Sequence, residues 1–211
     1  MSEGPIRTIF WDIGGVLLTN GWDVNQRARV LSGLGVDLKA YEAVHDSVNY
    51  FWERGLMSAR DFFEKTVLGA NPQLKVSFEE LWKLVCGESR VLHPESFEIL
   101  EELRESGQFR LATLNNESRE LNEYRLNTFG LGQYFDYFIC SGSVHEMKPL
   151  AEIYRAATDV SGLPPETALF IDDKQENCDA ASAMGMHAIR FESPAQLRAA
   201  LAECGITVQV S

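Results

Sequence analysis

Ile9-Phe10-Trp11-Asp12-Ile13-Gly14-Gly15-Val16-Leu17 is an apolar run that ends on a carboxylate and then turns through two glycines. A short apolar run early in an α/β chain reads as a buried parallel strand, and an Asp at its carboxyl end points into the crevice where such sheets bind ligands. Gly14 and Gly15 allow a tight turn and a close backbone approach to a ligand. Asp12 is therefore a candidate nucleophile, with a turn-forming Asp as the plainer alternative.

The stretch Ala168-Leu169-Phe170-Ile171-Asp172-Asp173 repeats the pattern: an apolar strand, two adjacent acids, then helix spacing through Asn177, Ala180, Ala181, Ala183 and Met184. Adjacent carboxylates repel unless a cation compensates them, so the pair points to a hard divalent metal bound through oxygen. Between these runs, Arg110-Leu111-Ala112-Thr113-Leu114-Asn115-Asn116 is a third strand ending in side chains able to donate to phosphate-like oxygens. Met147-Lys148-Pro149 then sets a lysine just before a proline that opens another helix pattern.

Strand-like runs at Ile6-Phe10, Phe109-Leu114, Tyr137-Cys140, Ala168-Ile171 and His187-Phe191 alternate with helix patterns near 94–106, 118–129, 150–161, 175–185 and 194–204. Such alternation predicts an α/β fold: a Rossmann-like parallel sheet with helices on both faces. From about Asn20 to Val91 the alternation stops. Val24, Ala28, Leu31 and Leu34, then Tyr41, Val44, Val48, Phe51 and Trp52, then Phe62, Phe63 and Val67, then Phe78, Leu81, Trp82 and Val85 all follow helical spacing. The segment reads as a helical insertion, with Asp23 and Ser77 as caps and turns at Gly35 and Asn71-Pro72.

With four ordered motifs, the chain resembles the haloacid dehalogenase-like hydrolase superfamily over nearly its whole length. FWDIGGVLL, SGSVHEMKPLAEIYRAA and ALFIDDKQENCDAASAMGM look most like the branch containing sugar-phosphate phosphatases and the amino-terminal phosphatase domains of epoxide hydrolases. The resemblance implies that Asp12 is the nucleophile and that Asn115 and Asn116 bind the phosphoryl group. It implies that Lys148 neutralises charge on that group, and that Asp12, the Gly14 carbonyl and Asp173 hold Mg2+, with Asp172 assisting. Asn177 would orient Lys148 or the acids. It further implies that residues 1–19 and 92–211 form the catalytic core and 20–91 a small helical cap inserted after the first strand.

Two positions depart from the family pattern. The first motif is usually D-x-D, its second Asp protonating the leaving group and later activating water; here that position is Gly14. Acid–base help of this kind is worth roughly two to four orders of magnitude in rate. Asn115 stands where a hydroxyl residue is usual, which keeps a hydrogen-bond donor. The expected activity is magnesium-dependent hydrolysis of a small phosphorylated metabolite through an aspartyl-phosphate. The alternatives are a weakly active or inactive regulatory relative that binds phosphometabolites, and a 2-haloacid dehalogenase. The dehalogenase reading leaves the Asp172-Asp173 pair without a purpose, since carbon–halogen displacement needs no magnesium.

Composition narrows the partners. At 211 residues and 45% apolar content the chain can bury a real core. A formal net charge of −12 with no basic cluster disfavours nucleic acid and anionic membrane. No apolar run is long enough to span a bilayer and no secretory signal pattern opens the chain, so a cytoplasmic monomer or homodimer is expected. Cys86, Cys140, Cys178 and Cys204 lack metal-type spacing and read as reduced thiols. The insertion's aromatics, Trp22, Tyr41, Tyr50, Phe51, Trp52, Phe62 and Phe63, are read mostly as its core. Its polar residues of interest are His45, Asn49, Glu53 and Arg54.

Overall fold

A computed structural model describes residues 5–207. Five strands, β1 (Thr8–Trp11), β2 (Arg110–Asn115), β3 (Tyr137–Cys140), β4 (Ala168–Asp172) and β5 (His187–Arg190), form one parallel sheet in the order β3-β2-β1-β4-β5. The central strand β1 is buried along its whole length, which is why it reads as an unbroken apolar run rather than an alternating one. Successive side chains nevertheless serve opposite faces. Ile9 and Trp11 pack with α5 (Pro94–Ser106) and α10 (Pro194–Glu203) through Ile99, Leu103, Leu197 and Leu201. Phe10 packs on the other face with α8 (Ala151–Ser161) and α9 (Gln175–Ala183) through Ile153, Tyr154, Ala157 and Ala181. The expected doubly covered sheet is present, with strand ends displaced from the sequence reading by no more than two residues.

Between β1 and β2 the chain forms α1 (Val24–Gly33), α2 (Leu38–Glu53), α3 (Ala59–Phe63) and α4 (Phe78–Gly87), then α5. Helix α3 widens into a π-helical turn at Glu64–Leu68. Asp23 caps α1, and Ser77 with Glu80 makes a reciprocal capping box on α4. The four helices share a separate apolar core in which Trp52 stacks on Phe62 at 4.1 Å and the Trp22 indole donates to the Tyr41 hydroxyl at 2.7 Å. Tyr50 and Phe51 stand outside it, 43% and 44% exposed, because α2 turns them away from the face that carries Tyr41, His45 and Trp52. Leu121 of α6 (Arg119–Thr128) joins this core from the sheet side.

A clasp ties the insertion to the sheet. Arg54 donates to the carbonyl of His145 and pairs with Glu146 at 3.1 Å, while the His145 ring meets the Arg54 carbonyl at 2.7 Å. Ser141, the first residue of the short helix α7 (Ser141–Val144), donates to the carbonyl of Glu53 at 2.7 Å. All four cysteines are free, and three are buried. No helix among the described residues is long and apolar enough to cross a membrane.

Candidate active site

The carboxyl ends of β1, β2 and β4 converge on one point. Asp12 follows β1 and is fixed by its amide, which donates to the Ile171 carbonyl at 2.9 Å, and by its Oδ1, which accepts from the Ile13 amide at 2.8 Å. Asp172 ends β4, Asp173 follows it, and one carboxylate oxygen from each of Asp12, Asp172 and Asp173 lies within 4.8 Å of the others. The glycine turn makes that possible. Gly15 has φ +75°, and a side chain there would overlap the Asp173 carboxylate.

A single buried cation faces these three acids. Lys148 Nζ lies 3.1 Å from Asp12 Oδ1 and 2.6 Å from Asp172 Oδ2, and it also donates to the Leu114 carbonyl at 2.9 Å. Asn116 holds the lysine's backbone from both sides: its Nδ2 donates to the Lys148 carbonyl and its Oδ1 accepts from the Lys148 amide, each at 2.9 Å. Burial works against the lysine's charge, but Asp12 and Asp172 outweigh it and raise its pKa. Burial pushes the Asp12 carboxyl up to about 7, opposed by Lys148 and reinforced by Asp172 and Asp173. Asp173 is raised by burial and then by Asp172.

The two adjacent acids differ in what they have left to offer. Asp172 is fully buried and saturated: Oδ1 accepts from the Lys174 amide at 2.8 Å, Oδ2 from Lys148, and Asn177 donates to both at 3.0 Å. Asp173 Oδ1 is buried with no partner. Three converging carboxylates with one ammonium and an orphaned oxygen form a donor set that fits a hard divalent cation.

Asn115 is also buried, but its Nδ2 donates to Asn122 at 3.0 Å and its Oδ1 is unpartnered. At Gly14, a Cβ would lie 2.8 Å from the Asn20 Oδ1, so an asparagine amide flanks the position at which a D-x-D pattern would set its second Asp.

A cavity of about 390 Å³ opens between this cluster and the helical insertion. Lys148, Asn116 and Asn177 line its sheet side; Asn49, Trp52 and Glu53 line it from α2. Of the four polar insertion residues singled out in the sequence, Asn49 and Glu53, one turn apart on α2, line the cavity. His45 does not. Its ring is buried between Tyr41 and Phe62, and burial lowers its pKa. Arg54 serves the clasp.

Glu117 is a cavity residue that motif spacing did not single out, although it directly follows Asn115-Asn116. It is buried, accepts from Arg125 at 3.0 Å and from the Ser118 amide at 2.9 Å, and its carboxyl rises to about 7 through burial. A side chain at Gly21 would overlap it.

An α/β sheet with an acid cluster at its strand ends and a helical insertion after the first strand is the architecture of a hydrolase of the haloacid dehalogenase type. The family model described as haloacid dehalogenase-like hydrolase matches residues 6–185, and the chain belongs to that family. It is 25% identical to the phosphoglycolate phosphatase of Aquifex aeolicus over 185 residues, covering 85% of this chain and 82% of that protein. It is 32% identical to the phosphoserine phosphatase of Thermus thermophilus over 99 residues, covering 46% of this chain and 39% of that protein. In fold it is similar to the HAD family enzyme bt-2542 of Bacteroides thetaiotaomicron, with a TM-score of 0.76, 21% identity, and coverage of 90% of this chain and 95% of that one. That enzyme is also known in complex with magnesium and inorganic phosphate.

Proposed function

We propose that this chain is a magnesium-dependent phosphatase that hydrolyses a small phosphorylated metabolite through an aspartyl-phosphate on Asp12. The observation that carries the reading is the convergence of Asp12, Asp172 and Asp173 on a single lysine, with Asp173 Oδ1 left unpartnered. The phosphatases among its relatives support it.

Asp12, the Gly14 carbonyl and Asp173 would hold Mg2+, with Asp172 acting from behind by fixing Lys148. When bound, the ion would offset repulsion between the Asp12 carboxylate and an incoming phosphate. The Asp12 carboxylate attacks phosphorus in line, forming the carboxyl–phosphoryl bond as the ester oxygen leaves; water then cleaves the new bond and restores Asp12. Lys148 neutralises charge developing on the phosphoryl oxygens, and Asn115 with the Asn116 backbone donates to them. For that, Asn115 must share its amide group with Asn122 or leave it. Residues 20–91 act as a cap whose closure excludes water from the cavity.

Gly14 favours one second reading, a relative that binds phosphometabolites with little turnover, since Asn20 cannot supply the missing acid. Hydrolysis of p-nitrophenyl phosphate with and without magnesium separates the two. Metal-dependent turnover is expected; tight phosphate binding without turnover supports the second reading, and halide release from a 2-haloacid without metal would overturn both.

A further inference from the structure

The cavity has two chemically different halves. Its inner half, against the sheet, is lined by Lys148, Asn116 and Asn177, and Lys148 in turn contacts Asp12 and Asp172. In its outer half, α2 presents Asn49 and Glu53, and the loop after β2 brings Glu117 close enough to Glu53 for the second acid's charge to raise the first one's pKa. Glu53 is half-buried and forms no ion pair among the described residues.

The arginines around it are already committed. Arg27 lines the cavity, but it is held by both Glu42 oxygens at 2.9 Å and by the Trp22 carbonyl at 2.7 Å. Arg125 is bound to Glu117 and to the Thr19 carbonyl at 2.6 Å, and Arg54 to Glu146. Lys174 is exposed and unpaired among the described residues; it lines the cavity from the sheet side, at the start of α9 next to Asp173, whose pKa its charge lowers. A carboxylate entering the outer half would shed water beside a like charge where Arg27, Arg54 and Arg125 are already paired, whereas hydroxyl or ammonium groups could donate to Glu53 and Asn49.

We propose that Glu53 makes the outer half of this cavity selective for phosphate esters of uncharged polyols or amino alcohols and against esters whose alcohol carries a carboxylate. The inference rests on the phosphatase reading for the place of the phosphate, and it names Glu53 as a specificity residue rather than a catalytic one.

The test measures inhibition of magnesium-dependent acetyl phosphate hydrolysis by glycerol 3-phosphate, O-phosphoethanolamine and 2-phosphoglycolate. The first two should inhibit at least about tenfold more tightly than the third. Glu53→Gln should shrink that ratio several-fold, and Glu53→Lys should reverse it. Equal inhibition by all three esters, or a ratio unchanged in both variants, overturns the proposal. If acetyl phosphate is not hydrolysed, the phosphatase reading fails separately, and calorimetric binding of the same three esters still reads the charge preference. Binding of 2-phosphoglycolate as tight as that of glycerol 3-phosphate, or no binding of any ester, overturns it there.

Discussion

Asn177 grips Asp172 by both carboxylate oxygens, its Nδ2 lying 3.0 Å from each. Together with Lys148 and the Lys174 amide, this leaves Asp172 with no free acceptor and turns it into the fixed wall against which the lysine is positioned. Asp173, one residue on, keeps an oxygen without a partner. Two neighbouring acids of the same type thus carry separable tasks.

That division predicts opposite phenotypes. Asp172→Ala should cost stability, about 3–5 kcal/mol for breaking a buried pair, because Lys148 loses its shortest contact. Asp173→Ala should weaken magnesium binding without destabilising the metal-free protein, since its charged form is already disfavoured there. Thermal melts and magnesium titrations of both variants decide it. A larger loss of metal affinity in Asp172→Ala would reverse the assignment.

Loss of the grip itself is milder. Asn177→Ala should keep the fold but lower magnesium-dependent activity about 10–100-fold, the usual effect of removing a group that orients a ligand or its support. Wild-type activity in a folded Asn177→Ala protein would reduce this asparagine to a helix-start contact.

Gly15→Ala tests the turn. Its φ of +75° and the Asp173 carboxylate leave no room for a methyl group. The variant should lose about 1–3 kcal/mol of stability and bind magnesium more weakly. Unchanged metal affinity would separate the turn from the acid cluster.

Glu117 supplies a pH dependence with a definite sign. Its folded pKa is raised from 4.5 to about 7, so its contribution is complete below about 4.5 and declines as pH rises towards 7, the unfolded chain releasing its proton first. The stability advantage of the natural protein over Glu117→Gln should therefore shrink across that window. An advantage that grows with pH there would show that Arg125, rather than burial, governs the group.

The sheet was legible because each strand is a short apolar run closed by turn or acid residues, and the insertion because its apolar spacing changes period. Asp12, Lys148, Asp172 and Asp173 were legible as strand-end or pre-helix polar residues at the edges of apolar runs. Their partners were not. Asn122 meeting Asn115, Asn116 embracing Lys148 and Arg125 reaching Glu117 are contacts between segments whose relative placement only packing determines. The same holds on α2, where spacing sets His45, Asn49 and Glu53 one turn apart from one another but does not show that Asn49 and Glu53 line the cavity while His45 packs against Phe62.

The most direct test of the account is the magnesium-dependent hydrolysis rate of p-nitrophenyl phosphate by Asp12→Asn, measured on protein shown by circular dichroism to be folded. The account predicts a fall of at least about a thousandfold, because the variant keeps the side chain's shape and loses the attacking charge. Substantial metal-dependent turnover in the folded variant would contradict the covalent mechanism at its centre.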